Sequence, residues 1–334
     1  MLLSKADILI PVQGTDMSKW SVIACDQHTS EKEYWEELDQ YIGEAPSTLR
    51  LMQPEAFLDG PDSTDIINAA MDNYLASGVF RTVACSYIYV ERTLSSGLVR
   101  KGLVGALNIN EYDYSPKSRS TIRATEATVE SRLPARAKIR KNASLEMPHV
   151  MVFTEDAFPV TKFELLYDFE LNAGGGHIKG WRADADLSHI KRMAIGDGNH
   201  SLAAAKLCGA KDALVEIVNI NDESIIFEPI HRIIIGTDTS FLSSKVNYFD
   251  KVSECDAFCS DYISKHGGSL DYIHNDETAK SLAALDGNVA FMLPAFDKSR
   301  LFEDVFNNGP YPRKSFSVGL AEDKRYYLEC RRLK

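Results

Sequence analysis

Short apolar runs and longer amphipathic stretches alternate along the chain, and that alternation predicts a mixed α/β fold. Asp7–Val12 and Ser21–Asp26 have the length and apolarity of buried strands. Ser30 with Glu33 forms a capping box, and Tyr34, Trp35, Leu38, Tyr41 and Ile42 follow at helical spacing up to Gly43. A second helix is predicted from about Thr64 to Leu75, stopped at Ser77-Gly78. Arg81–Thr93 and Leu98–Ile109, rich in β-branched and aromatic residues, flank Ser95-Ser96-Gly97 as the arms of a long hairpin. Ser120–Lys141 reads as a helix broken by Pro134. Val150–Phe153, Lys162–Phe169 and Ile178–Arg182 read as strands, the last two joined across Gly174-Gly175-Gly176.

The sharpest pattern follows: strand Arg192–Ile195, loop Gly196-Asp197-Gly198, helix Asn199–Cys208, Gly209, strand Ala213–Asn219. Beyond Ile233–Ile235 the signals loosen into a helix near Val252–Lys265, a strand near Val289–Leu293 and a closing strand near Arg325–Arg331. The organisation expected is a ligand-binding core over 1–235 and an accessory C-terminal subdomain over 236–334, the two continuous with one another if no boundary intervenes.

Charge narrows the function classes. With 37 Lys+Arg against 48 Asp+Glu the chain carries −11, and a surface of that sign repels DNA. The longest near-apolar stretch, Val289–Phe296, is far below the roughly 18 residues that span a bilayer. The opening residues lack the charge pattern and apolar length of a secretory signal. Six scattered cysteines, with only Cys255-x-x-x-Cys259 close together, match neither a zinc knuckle nor a redox pair. The expectation is a cytoplasmic protein with reduced thiols, binding small molecules, with no nucleic-acid or membrane partner; its oligomeric state is not legible.

Candidate chemistry centres on residues 194–206. Gly196 and Gly198 bend the backbone between strand and helix, and the opening turn of that helix leaves N–H groups that suit an anion. Asn199 or Ser201 is placed to cap it, and Ala203-Ala204-Ala205 lets the helix lie close against a neighbour. Asp197 and His200 aim a carboxylate and an imidazole at one place, the helix dipole favouring the neutral imidazole. The bland alternative is a turn cap and a satisfied core histidine.

This unit resembles the nucleotide-phosphate turn of the ParB/sulfiredoxin-like superfold. The chain as a whole is similar to the domain-of-unknown-function family ten-fifteen. The matching stretches are Trp20-Ser-Val-Ile-Ala-Cys-Asp-Gln-His28, Ala45-Pro-Ser-Thr-Leu-Arg50, Thr121-Ile-Arg-Ala-Thr-Glu126, Gly175-Gly-His-Ile-Lys-Gly-Trp181, Gly196-Asp-Gly-Asn-His200 and Phe227-Glu-Pro-Ile-His-Arg232. The resemblance implies a ParB/sulfiredoxin-like core with a mixed sheet, a nucleotide-phosphate site and, as in free-serine kinases, transfer of phosphate to a small hydroxylated molecule. Where the wider pattern has Arg after the His, this chain has Ser201, so a bidentate phosphate contact must come from elsewhere.

A basic island offers one source. Residues 115–141 hold Lys117, Arg119, Arg123, Arg132, Arg136, Lys138, Arg140 and Lys141 against Glu126 and Glu130, so the rest of the chain carries −17. On a helix, Arg123, Glu126 and Glu130 share a face; the island is either a phosphate-binding wall or a solvated, ion-paired surface. Asp26, Gln27 and His28 fall where a strand meets a helix, a usual ligand position in α/β sheets. Gly174-Gly175-Gly176-His177-Ile-Lys179 and Glu228-Pro-Ile-His231-Arg232 place further donors near the same chemistry, or are an ordinary turn and an ion pair.

The resulting expectation is a kinase of a small metabolite, with free serine as first acceptor by family analogy. Its cofactor is ADP or ATP with Mg²⁺. Asp197 or His200 takes the hydroxyl proton or holds the metal. Gly196, Gly198, Asn199, Ser201, Arg123, Lys179 and Arg232 bind phosphate or nucleotide. Asp26, Gln27, His28, Glu126, His177 and His231 face the substrate. The competing expectation is a non-catalytic nucleotide sensor of the ParB-like type.

Overall fold

The predicted hairpin forms and dominates the molecule: Phe80–Thr93 and Val99–Asn108 pair antiparallel, with Ile88 opposite Val104 and Thr93 opposite Val99. The computed structural model describes all residues except Asp26, Thr29, Ser30, Val129, Ala321 and Glu322, and leaves out the side chain of Arg132. The capping residue expected at Ser30 therefore lies outside the described residues. The helix it was to open runs Lys32–Ile42 and turns Trp35, Leu38 and Ile42 inward.

Around the hairpin builds an eleven-stranded mixed sheet. Its order is Val160–Glu170, His177–Ala185, the two hairpin strands, Asp212–Asn219, Val150–Thr154, Met193–Asp197, Ile122–Arg123 and Tyr112–Asp113; Leu3–Ser4 and Ala6–Pro11 pair with the hairpin strands. Val150–Thr154 is inserted between the two strands joined by the alanine-rich helix, parallel to one and antiparallel to the other. Those central strands are buried almost throughout, as strands covered on both faces must be. Helix Asn199–Leu207 packs on them through Leu202 and Ala205, both at most 1% exposed, the small alanine letting the backbones approach closely.

A second sheet of five strands follows: Val246–Tyr248, Val289–Met292, Phe227–Ile235 and Ser269–His274, with Phe316–Val318 beside the start of Phe227–Ile235. Helix Val252–His266 covers it with Cys255, Cys259 and Tyr262 inward. The chain then returns. Tyr326–Tyr327 pairs with Val22–Ile23 and Arg331–Arg332 pairs with Leu145–Glu146. Tyr326, Tyr327, Leu328 and Cys330 share one core cluster with Trp20, Val22 and Trp35. The single closing strand expected over 325–331 is thus two short ones, split to satisfy two different edges.

One expected element is different in kind. Ser120–Lys141 is not a broken helix: Ile122–Arg123 is a strand at the sheet edge, and a short 3₁₀ turn leads into helix Leu133–Asn142. Pro134 stands in the opening turn of that helix, where its missing N–H costs nothing. Arg123 and Glu126 therefore do not share a helical face. All six cysteines are free thiols, and among the described residues no helix is long and apolar enough to cross a membrane.

Candidate active site

Strand Met193–Asp197 is buried up to Gly196 and delivers Asp197 to the edge of a cavity of about 780 Å³. Gly196 is required by packing, since a Cβ there would sit 2.8 Å from the Phe153 ring. Gly198 is required by conformation: at φ 95°, ψ 25° it forms the N-cap of helix Asn199–Leu207. Gly198 has no side chain to cap this helix, and among the described residues neither Asn199 nor Ser201 caps it, contrary to expectation; the opening residues 199–201 line the cavity. The Asn199 Oδ1, buried there, has no hydrogen-bond partner among the described residues.

The cations facing this turn come from the C-terminal segment. Arg313, Lys314, Lys324 and Arg325 all line the cavity. Lys324 Nζ donates to Ser317 Oγ (2.6 Å) and the Val318 carbonyl (2.8 Å). Arg325, 3% exposed, donates from Nε to Asp197 Oδ2 (2.7 Å) and from Nη1 to the His149 carbonyl (2.6 Å). Among the described residues neither Arg313 nor Lys314 makes an ion pair with a carboxylate, which leaves the wall net positive.

The long hairpin fixes this segment. Arg92 and Arg100, opposite each other in its register, donate to the Asp323 carbonyl, and Arg92 also to that of Lys324 (2.5 Å). The Asp323 carboxylate accepts from the Ser95 amide and hydroxyl (3.0 and 3.1 Å). Burial, and secondarily Arg100, lowers Arg92 to about 9. Beneath lies a buried network: the His149 ring sits 3.2 Å from Glu216 and 3.3 Å from Glu329, and the Tyr167 hydroxyl donates to Glu329.

Three titrating groups report the field in the cavity. Burial would raise Asp197, but the Arg325 and Lys324 charges outweigh it and hold the carboxyl at about 2. Burial lowers His274 to about 4, aided by the Lys324 and Lys314 charges. Burial raises Glu126 from its ordinary value; Lys314 and the amides of Lys314, Ser315 and Phe316 offset this only in part. Glu126 is held in place by the Ser315 amide (3.2 Å) and by Thr125, whose hydroxyl donates to the Ile195 carbonyl (2.6 Å).

Of the residues singled out in the sequence, Gly196, Asp197, Gly198, Asn199, His200, Ser201, Gln27, His28 and Glu126 line this cavity. His28 stacks on Tyr34 at 3.8 Å between ring centres. Asp26 lies outside the described residues. Five others are elsewhere. Arg123 donates to the carbonyls of Ser120, Val305 and Phe306 and covers the Phe306 ring, tying the sheet edge to helix Leu301–Asn308. Lys179 and His177 form an exposed ion-pair cluster with Asp168 and Glu170 on the outermost strands. Arg232 is fully buried on Asp256 and the carbonyls of Ile230 and Lys314. His231 bridges Asp276 and the Leu293 amide inside the second sheet.

Among the described cations of the basic island only Arg136 lines this cavity, and it is paired with Glu55. What the sequence reading missed is the C-terminal wall. Its only signal was two adjacent basic pairs, Arg313-Lys314 and Lys324-Arg325, next to aromatic residues.

No curated protein matches the sequence. Among solved structures, the chain is similar to a free serine kinase in complex with AMP, with 12% identity and a TM-score of 0.43, covering 67% of this chain and 90% of that one. A conserved hypothetical protein from Pyrococcus furiosus gives 12% identity and a TM-score of 0.39 over 65% and 90%. SbnI with a C-terminal truncation, from Staphylococcus aureus, gives 10% identity and a TM-score of 0.37 over 65% and 82%. The model of the family of proteins of unknown function DUF1015 matches residues 9–333, nearly the whole chain, and the chain belongs to that family.

Proposed function

We propose that this protein is a nucleotide-dependent phosphotransferase acting on the hydroxyl of a small metabolite. One observation carries the reading: the opening residues of the helix that starts after Gly198 share one cavity with Arg313, Lys314, Lys324 and Arg325 and with a carboxyl raised by burial. The amides of residues 199–201 and the lysines suit phosphate oxygens. Phosphoryl transfer needs mainly such positioning and charge.

Glu126 fits the role of base better than Asp197. A carboxyl raised by burial accepts a proton more readily than one held at about 2. In the step proposed, the acceptor oxygen forms a new bond to phosphorus while the bond from phosphorus to the bridging oxygen of the donor breaks. The hydroxyl proton passes to Glu126, and the nucleotide leaves one phosphate shorter. His200, in the opening turn of the helix and at the cavity lining, would contact the transferred group.

Magnesium is consistent with the donor set. No group of three or more metal-ligating side chains occurs among the described residues, but Mg²⁺ on a nucleotide needs only one or two carboxylates. Asp197, ionised and 24% exposed, would hold it. When bound, the ion supplies charge neutralisation to the phosphates.

The test is ³¹P NMR of purified protein with Mg²⁺, ADP or ATP and a panel of hydroxylated metabolites that begins with free serine. A new phosphate-ester signal, lost in Glu126→Gln, is the expected result. Nucleotide binding without any ester would refute transfer and favour a sensor.

A further inference from the structure

We propose that a second cavity, adjoining the first, receives the apolar body of the acceptor. The acceptor would then be a hydroxylated molecule with an uncharged apolar group of about ring size, not a bare three-carbon amino acid. The inference rests on the phosphotransferase reading and names the substrate class for that same site.

The second cavity encloses about 550 Å³ and shares Cys25, Glu55, Arg136, Ser201 and Tyr327 with the first. Helix Asn199–Leu207 walls both: its opening residues face the polar cavity, and Ala204, one turn past Ser201, faces the apolar one. A molecule seated in the second cavity therefore borders the helix opening at Ser201, where a hydroxyl would meet the phosphate site.

The lining specifies the chemistry. Leu51, Met52, Met71, Ile139, Leu145 and Met147 supply an apolar surface, and methionines adapt to different apolar shapes. Three of its lining cations are each paired with a carboxylate that also lines it: Arg136 with Glu55, Lys138 with Asp62, and Arg140 with Glu146 at 2.6 Å. These pairs leave little charge to attract an ionic ligand, unlike the wall of Arg313 and Lys314.

Volume separates the two occupants. Ligand sites span roughly 300–1,000 Å³, so each cavity is large enough for a molecule of its own. The polar cavity has its own apolar and aromatic lining for a nucleobase in Ile230, Tyr272 and Phe316. The base therefore does not need the second cavity, and free serine would leave it empty.

The test uses Ala135→Trp, on an exposed face of helix Leu133–Asn142 at the cavity lining, where the larger ring fills space without disturbing the core. Leu58→Ser, at a 47% exposed lining position, is the second variant. Binding of 2-phenylethanol is followed by saturation-transfer NMR, and binding of ADP by calorimetry. The expected result is a 2-phenylethanol signal at least fivefold weaker in Ala135→Trp and weakened in Leu58→Ser. The ADP affinity should stay within twofold of the parent, and ADP should not displace the probe. Displacement by ADP would overturn the proposal by assigning the cavity to the base. An absent signal in the parent, or one unchanged in Ala135→Trp, would overturn it too. Failure of ADP to bind any of the proteins would instead refute the phosphotransferase reading and remove the proposal with it, whatever the probe does.

Discussion

His149 gives the sharpest quantitative test of the frame that holds the site. Its ring lies between Glu216 and Glu329, and its carbonyl accepts from Arg325, the partner of Asp197. Burial by itself would lower its pKa; the two carboxylates outweigh that and raise it from 6.5 to about 9. At 1.36 kcal/mol per unit, the rise amounts to about 3 kcal/mol of stability. Burial would raise Glu216, but this same histidine, with Arg100 and Arg92, outweighs it and holds the carboxyl at about 2; that depression is largely the other side of the same contact and is not added. For a group raised on folding, the contribution is fully present below pH 6.5 and is lost as pH rises through about 9. Urea denaturation followed by tryptophan fluorescence should therefore show the parent losing about 3 kcal/mol between pH 6.5 and 9.5. His149→Gln removes the proton and leaves two buried carboxylates without it, costing about 3–5 kcal/mol at pH 6.5. Its stability should then be nearly flat across the same interval. If the variant keeps the slope of the parent, the histidine is not the titrating group and the ionic description of the network is wrong.

Gly198→Ala forces a side chain into a left-handed conformation, at about 1–2 kcal/mol, and brings its Cβ to 3.2 Å from Val150 Cγ2. Thermal denaturation should register that loss, and calorimetry should show ADP affinity falling about tenfold as the helix opening shifts; unchanged affinity would separate the amides from the ligand. Arg123→Met should cost about 2 kcal/mol through its three carbonyl bonds yet leave ADP affinity as it was, since Arg123 is outside the cavity. For His274, held near 4, binding of ADP adds negative charge nearby and should raise the pKa, visible in the imidazole NMR shifts; a pKa that does not move would place the phosphates elsewhere.

The parts legible in the sequence are those whose determinants are local. The hairpin at Ser95–Gly97, the strand ending at Asp197 and the alanine-rich helix each carry their periodicity and turn residues within a few positions. The Gly196–Ser201 turn was readable because both glycines answer to constraints set there: Phe153 packs against one, and the other adopts positive φ. Residues 120–141 misled because charge density resembles an exposed helix, while the edge pairing of Ile122–Arg123 with Met193–Ala194 depends on a strand seventy residues away.

Cations were misassigned for the same reason. Arg232, Lys179 and Arg123 sit in suggestive local patterns, but each is committed to partners fixed by tertiary packing: Asp256, Asp168 and the carbonyls of helix Leu301–Asn308. Arg325 meets Asp197 across 128 positions, and only the return of the chain to pair Tyr326–Tyr327 with Val22–Ile23 puts it there. The positive charge of the wall comes from cations that pair with no carboxylate among the described residues, Arg313 and Lys314, and the packing that satisfies the other cations decides which these are. The polar half of the site therefore depends on the last strands closing onto the first. A chain shortened before Lys324 would lose two of the four wall cations and the contribution of Tyr326, Tyr327 and Leu328 to the core at once.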